Sequence, residues 1–246
     1  MARNPDYAQH FLKSPRLVAE LIGHSNIRKN DLVYDLGAGS GIIASVLARR
    51  CRAVIAVEIE PEALKKLRIN SAPYDNISIA QKDMLTLTPP PEPYKIFANI
   101  PFQISAQVVR KFTETAHAPK SMYLIVQKQF ARKLVLGDDH FTSQLGTEIA
   151  PLFTTRIRKP LRKIDFTPPP AVDTVLLEIK KRDEPLIPLG SLPNYREFIA
   201  RCYSDQTFLN KISDNTVLTK HNNKPSEITL EMWLTLFEKY SQKIAH

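Results

Sequence analysis

The chain has 246 residues, of which 43% are hydrophobic and 24% charged. That apolar content excludes an intrinsically disordered chain. No run approaches the roughly 18 uncharged apolar residues of a membrane span. The net charge of +9 is concentrated at the front: residues 1–180 carry +8 and residues 181–246 carry +1. Such a balance suits a polyanion such as RNA or DNA, or serves solubility alone.

At about 150 residues per domain, the length fits one large domain, or one plus a small appendage. The N-terminal stretch MARNPDYAQHFLKSPR has no apolar core of the signal-peptide kind, so a cytoplasmic protein is expected. Cys51 and Cys202 are too few for a disulfide scaffold or a metal cluster and are expected to stay reduced. His117, His140, His221 and His246 have no metal-like spacing and read as surface residues, so no metal is expected.

In chain order, Leu32–Leu36 predicts a strand ending at Gly37, and Ile42–Arg50 a helix with apolar residues at 42, 43, 46 and 47. Val54–Val57 reads as a second strand. Pro61–Asn70 reads as a helix, since proline suits the first turn. Ile77–Ala80 and Lys95–Ala98 are short strands, Gln103–Thr115 a helix, Met122–Val126 a buried strand, and Gln129–Leu136 a helix. Alternating strands and helices imply a parallel sheet with right-handed crossovers. Val172–Lys180 alternates more strongly and reads as an edge hairpin strand. Pro89–Pro91 and Pro168–Pro170 are rigid loops. Pro185, Pro188 and Pro193 then punctuate a linker, which places a boundary near residue 184: a first domain over 1–184 and a helical one over 185–246. The tail segments Tyr195–Tyr203, Thr207–Ile212 and Leu230–Tyr240 all have helical spacing.

Open parallel sheets bind ligands beyond the carboxyl ends of their strands, and four informative motifs fall there. The first is Asp35-Leu36-Gly37-Ala38-Gly39-Ser40-Gly41, a glycine loop that brings backbone close to a ligand, or else a plain tight turn. Ile42 stands where a dinucleotide fingerprint needs a third glycine or alanine, and no GK[ST] of a P-loop follows. The pattern suits a ligand without a pyrophosphate, such as S-adenosylmethionine. Glu58, after the second strand, is placed to accept ribose hydroxyls, or to sit as an acid at a helix start. Asp83-Met84, after the third strand, offers an acceptor for an adenine amino group and a side chain for its ring, or is an ordinary loop.

The fourth motif is the most specific: Asn99-Ile100-Pro101-Phe102. The Asn side-chain oxygen and a proline-flanked carbonyl can both accept from an exocyclic NH2, while the Phe ring stacks on the base. Two acceptors draw such a nitrogen toward sp3 geometry and free its lone pair for attack on a methyl group. Positioning and electrostatics would then carry most of the catalysis, without a strong base.

These motifs, with Gln9-His10-Phe11-Leu12, AVEIE, QKDM, the YLIV strand and Phe166-Thr167-Pro168-Pro169-Pro170-Ala171-Val172-Asp173, resemble the rRNA adenine N6-dimethyltransferase family. That family includes the Erm, KsgA and Dim1 types, and the resemblance runs over about residues 8–181. It implies an α/β fold: a Rossmann-like S-adenosylmethionine-dependent methyltransferase domain with a small all-α C-terminal domain. It implies that His10 and Leu12 close over the cofactor, that Gly37 and Gly39 line it, that Glu58 with Ile59 holds the ribose, and that Asp83 with Met84 holds the adenine. Asn99 would meet both cofactor and target amine in the catalytic segment with Ile100 and Pro101. Phe102 and Phe166 would sandwich the flipped base. The family more often has Asn at position 10, which points to a contact through the backbone of His10, and Ala171 replaces a usual Lys.

The target adenine must leave its stack, and RNA sequence recognition favours unpaired bases. Basic clusters offer phosphate contacts: Arg49-Arg50-Cys51-Arg52, Arg110-Lys111, Lys128/Arg132/Lys133 and Arg156/Arg158/Lys159/Arg162/Lys163. The last is the favoured RNA face, and Arg110 and Lys133 of the other clusters are also expected to contact RNA. Asn-Ile-Pro-Phe and the tail ITLEMWLTLFEKY with Trp233 are similar to the Erm branch, and Trp233 is also expected in the small helical core. The expected reaction is N6-methylation of an adenine in 23S rRNA by a monomer, giving macrolide-type resistance. The alternative is dimethylation of two adjacent adenines in 16S rRNA. A non-catalytic RNA-binding protein and a small-molecule methyltransferase are the readings from other classes.

Overall fold

The computed structural model describes residues 10–136, 142–213 and 224–244. Gln9, His140, His221 and His246 lie outside them. Nine strands and nine α-helices are assigned among the described residues.

The core of the sheet is apolar sequence in short β-branched runs, buried on both faces as parallel strands require. β2 (Leu32–Leu36) is buried at every residue. Beside it run β3 (Ala53–Glu58) and β4 (Ile77–Gln81) on one side, and β5 (Lys95–Asn99) and β6 (Ser121–Gln127) on the other, all parallel. The full order is β4-β3-β2-β5-β6-β9-β7, with β9 (Thr174–Lys181) antiparallel to β6. The strand order therefore reverses between β2 and β5, which opens a crevice at their carboxyl ends. This is a Rossmann-like α/β arrangement with a helical C-terminal region.

The crossover helices are α2 (Ile42–Ala48), α3 (Pro61–Ser71) and α4 (Ser105–Thr113). Each buries one apolar stripe; in α2 it is Ile43, Ala44 and Leu47. Ahead of the sheet, α1 (Pro15–Gly23) is capped by the Ser14 hydroxyl. A separate two-stranded ribbon pairs β1 (Phe11–Leu12) with β8 (Phe166–Thr167).

Two expectations need correction. The strand read at Val172–Lys180 is not an edge: β9 lies inside the sheet between β6 and β7, and five of its eight residues are buried. The edge is β7 (Phe153–Leu161), whose sequence was read as a charge cluster. Arg156, Arg158, Lys159 and Pro160 are what a protected edge strand carries, since charge and proline discourage pairing with another chain.

Contacts divide the chain into two compact units, residues 1–131 with 156–181 and residues 132–155 with 182–246. Segment 132–155 thus groups with the tail. A boundary read from prolines cuts the chain only once and keeps that segment with the sheet. The second unit contains α5 beyond Ala131 (the helix spans Lys128–Leu134), α6 (Gln144–Ile149), α7 (Leu192–Ser204), α8 (Gln206–Ser213) and α9 (Leu230–Ile244). Its core gathers Tyr195, Phe198, Ile199, Leu209, Trp233 and Phe237. Trp233 is fully buried and stacks on Tyr203, with centroids 6.0 Å apart. The Tyr203 hydroxyl donates to the Thr142 carbonyl at 3.0 Å, tying α7 to the α5–α6 segment.

Trp233→Ala is therefore expected to lower unfolding stability by about 3–5 kcal/mol. Urea denaturation followed by circular dichroism reads this directly, and a loss below about 1 kcal/mol would contradict the central place of Trp233 in that core.

Candidate active site

Five of the parallel-sheet segments deliver their carboxyl ends to one side, and the loops there form the site. β2 ends in three glycines with left-handed backbone: Gly37 at φ 68°, Gly39 at φ 57° and Gly41 at φ 89°. No other residue type holds that run without strain. A Cβ at Gly41 would stand 2.7 Å from Leu67 Cδ1, and one at Gly37 would stand 3.1 Å from Met84 Cε. The loop is anchored to β3, where the Val57 carbonyl accepts from Gly37 N–H at 2.8 Å and Ala38 N–H at 3.0 Å.

Glu58 completes the anchor. Its carboxylate is 3% exposed and accepts three backbone amides: Gly39 at 2.8 Å, Ile59 at 2.8 Å and Glu60 at 2.9 Å. A buried carboxylate needs such donors to be tolerated. Glu58 thus stands behind the glycine loop.

Asp35 is the opposite case, and sequence reasoning gave it no role beyond opening the glycine motif. It is fully buried in β2, two residues before Gly37, and neither carboxylate oxygen has a hydrogen-bond partner. Burial pushes its carboxyl up from 3.8 to about 8; the Ala44 amide opposes the shift without an ordinary hydrogen bond, and the Glu58 charge adds to it. The only trace in the sequence is an acid inside an apolar run, LVYDL.

From β5, Asn99 reaches back to the ribbon: its Nδ2 donates to the His10 carbonyl at 2.6 Å. That bond leaves the side-chain oxygen as the free end of the amide. Ile100 is buried, and Pro101 opens the short helical turn Phe102–Ile104 that leads into α4. The His10 ring stacks on Phe102, with centroids 5.6 Å apart and planes at 28°. Its Nδ1 lies 2.8 Å from the Pro168 carbonyl. His10 therefore acts through backbone and ring together.

One pocket collects most of these groups. It is lined by His10, Leu12, Gly37, Gly39 and the whole run Asn99 to Phe102, and it spans about 620 Å3 including its open mouth. Phe11, Ser40 and Ile43 also line it and were not anticipated. The ring of Phe11 lies over Gly39, 3.4 Å from where a Cβ would stand. Glu58, Ile59, Asp83, Met84 and Phe166 are not on its wall. Ile59 is 58% exposed. The Asp83 carboxylate caps a short helical turn by accepting from Leu85 N–H at 2.8 Å, and Met84 packs toward Gly37. Phe166 is fully buried opposite Leu12 in the ribbon, so its ring faces the core and not the pocket.

The predicted RNA cations are mostly engaged. Arg110 pairs with Glu114 at 3.1 Å along α4. On β7, Arg158 donates to the His24 carbonyl at 3.0 Å and faces Glu178, while Lys159 pairs with Glu20. Arg162 pairs with Asp165 but keeps 81% of its side chain exposed. Lys163 donates to the Ala171 carbonyl at 2.7 Å. Lys133 is exposed, on α5 in the second unit.

Among the described residues, no group of His, Cys, Asp or Glu is arranged to hold a metal, and no helix is long and apolar enough to cross a membrane. Burial pushes the Cys51 thiol up to about 11 and the Cys202 thiol up to about 12, so neither is a nucleophile near neutral pH. The left-handed glycine cradle, which brings bare backbone to the pocket wall, and the Asn99 amide beside it fit a small ligand rich in polar groups. S-adenosylmethionine is such a ligand.

Asp35 gives this site a pH signature. Unfolded, its carboxyl titrates near 3.8; folded, near 8. The folded state therefore holds the proton longer, and its stability falls as pH rises between those values, levelling above about 8. Asp35→Asn removes this contribution. Its melting temperature, relative to the parent, is expected to be higher at about pH 8 than at about pH 5. An equal difference at both would contradict the buried, uncompensated carboxyl.

Comparison with known proteins follows the same lines. The family model described as ribosomal RNA adenine dimethylase matches residues 1–239. An rRNA adenine N-6-methyltransferase of Saccharopolyspora erythraea is 29% identical over 253 aligned residues, covering 96% of this chain and 65% of that protein. One from Staphylococcus aureus is 31% identical, covering 97% of each. The crystal structure of the 23S rRNA methyltransferase ErmE matches with a TM-score of 0.82 at 28% identity, over 94% of this chain and 100% of that one. The chain belongs to the ribosomal RNA adenine dimethylase family and is an S-adenosylmethionine-dependent rRNA adenine N6-methyltransferase.

Proposed function

We propose that this chain methylates N6 of one adenine in 23S rRNA, at the macrolide-binding region of the exit tunnel, and so confers macrolide-type resistance. The observation that carries the chemistry is the Asn99 amide. Its Nδ2 is committed to the His10 carbonyl, so its oxygen is oriented to accept from an amino group beside Phe102. Accepting there weakens conjugation of the amine with its ring and exposes the nitrogen lone pair. Phe102 offers the stacking face that offsets part of the unstacking cost of a flipped base.

The cofactor supplies a methyl group on a positively charged sulfur. Gly37, Gly39, Leu12 and the His10 backbone would hold it from the wall, Glu58 and Ile59 at its ribose, and Asp83 and Met84 at its adenine. After the methyl group has passed from sulfur to the amine nitrogen, the amine proton is lost to water, with Asn99 only accepting a hydrogen bond, and no strong base is needed. Near the pocket, Arg162 and Lys163 are the cations best placed for RNA, since Arg158 and Lys159 are held on the sheet edge. Arg110 would be a further phosphate contact of the first unit, and Lys133 one of the second. The enzyme would work as a monomer in the cytoplasm, with residues 185–246 as a small helical domain.

The 23S target is supported by the Asn-Ile-Pro-Phe sequence, by the Trp233 helix and by the likeness to ErmE. Added methyl groups would remove the donor capacity of the amine and crowd the drug site.

Purified protein, tritiated S-adenosylmethionine and separate protein-free 23S and 16S rRNA test this. Primer extension should find a single methylated adenine in 23S rRNA, and Asn99→Ala should lower incorporation about a hundredfold or more. A sensitive host expressing the protein should tolerate more macrolide. Labelling of 16S rRNA alone would overturn the 23S target.

A further inference from the structure

Ile164 is 68% exposed. An isolated exposed isoleucine is ordinary, but this one is displayed on a turn built to stay rigid. The turn spans Lys163–Asp165. The Asp165 carboxylate accepts from Arg162 N–H at 2.8 Å and from the Arg162 guanidinium at 3.0 Å. Asp165 N–H donates back to the Arg162 carbonyl at 3.0 Å, and the Asp165 carbonyl accepts from Lys13 N–H at 3.1 Å. The Lys163 ammonium ties the turn to the Ala171 carbonyl. The next two residues are β8, paired with Phe11 and Leu12 of the pocket wall. Phe11 and Val172, each 40% exposed, are the other apolar side chains presented by this assembly.

A stiff apolar tip, flanked by cations and fixed to the wall of the pocket we read as an adenine site, matches one need of base flipping. When a base leaves its stack, the gap exposes two neighbouring base faces to water. An apolar side chain inserted there covers them. A β-branched residue on a hydrogen-bonded turn loses little freedom in doing so. The charge around it selects a polyanion over an apolar protein surface.

We propose that Ile164 is a wedge that enters the RNA base stack where the target adenine has left it, with the exposed Arg162 guanidinium beside it facing the RNA backbone. This rests on the reading of the pocket as an adenine site.

The test uses the full chain and two synthetic RNA hairpins built around the mapped adenine. One places that adenine within a continuous stack, the other in an open loop. The readout is kcat/KM for tritiated methyl transfer. In Ile164→Ala the ratio of kcat/KM for the stacked over the looped hairpin should fall about tenfold, and Ile164→Met should restore most of it. Cofactor binding by calorimetry and the melting temperature should match the parent, since Ile164 is exposed and outside the pocket. An unchanged ratio, whether both values fall or neither does, would overturn the wedge while leaving the adenine reading intact. A parent protein that binds cofactor but methylates neither hairpin nor intact rRNA would overturn the adenine reading, and the wedge with it.

Discussion

The site depends on a buried carboxylate at the end of a strand. Glu58 terminates β3, is 3% exposed, and accepts from the amides of Gly39, Ile59 and Glu60. Glycines in the left-handed region have no side chains to hold them, so a loop of three would otherwise be free to reorganise. The carboxylate supplies that hold from outside the loop, and the Gly39 amide it receives would be unsatisfied without it. Glycine loop and strand end therefore form one rigid body. A cofactor meets a surface already shaped, which lowers the ordering cost of binding.

A second tie closes the pocket from the far side of the sequence. Asn99 donates to the carbonyl of a residue 89 positions earlier, and His10 contacts the Pro168 carbonyl 158 positions later. The β1–β8 ribbon thus brings the segments around His10 and Pro168 to the crevice between β2 and β5. Loss of the Asn99 amide would remove the oxygen that we propose as acceptor for the target amine, and would also release the ribbon. Its effect on catalysis is expected to exceed that of a simple contact for this reason.

Much of this was legible in the sequence because the relevant chemistry is local. The strand Leu32–Leu36 followed by three glycines, and the acid that ends VIAVE, fall at strand ends by pattern alone. Asn99 to Phe102 announced itself by composition. What was misread needed partners distant in sequence. Val172–Lys180 looked like an edge because alternation was visible, but its neighbour β7 was hidden inside a run of cations. Those cations looked free because Glu20, His24 and Glu178, which engage them, lie elsewhere in the chain. Phe166 looked like a stacking partner, yet strand pairing with Leu12 turns it into the core. Asp35 carries no local sign that both its oxygens end without partners.

The central claim is that the Glu58 carboxylate holds the glycine loop in shape before any cofactor arrives. Amide hydrogen exchange at Gly39, followed by NMR in the cofactor-free protein, tests it most directly. The account predicts that Gly39 is protected like the strand amides around it, and that Glu58→Gln speeds its exchange by about tenfold or more. Gly39 exchanging as fast as an open loop in the parent protein, or unchanged protection in Glu58→Gln, would contradict it.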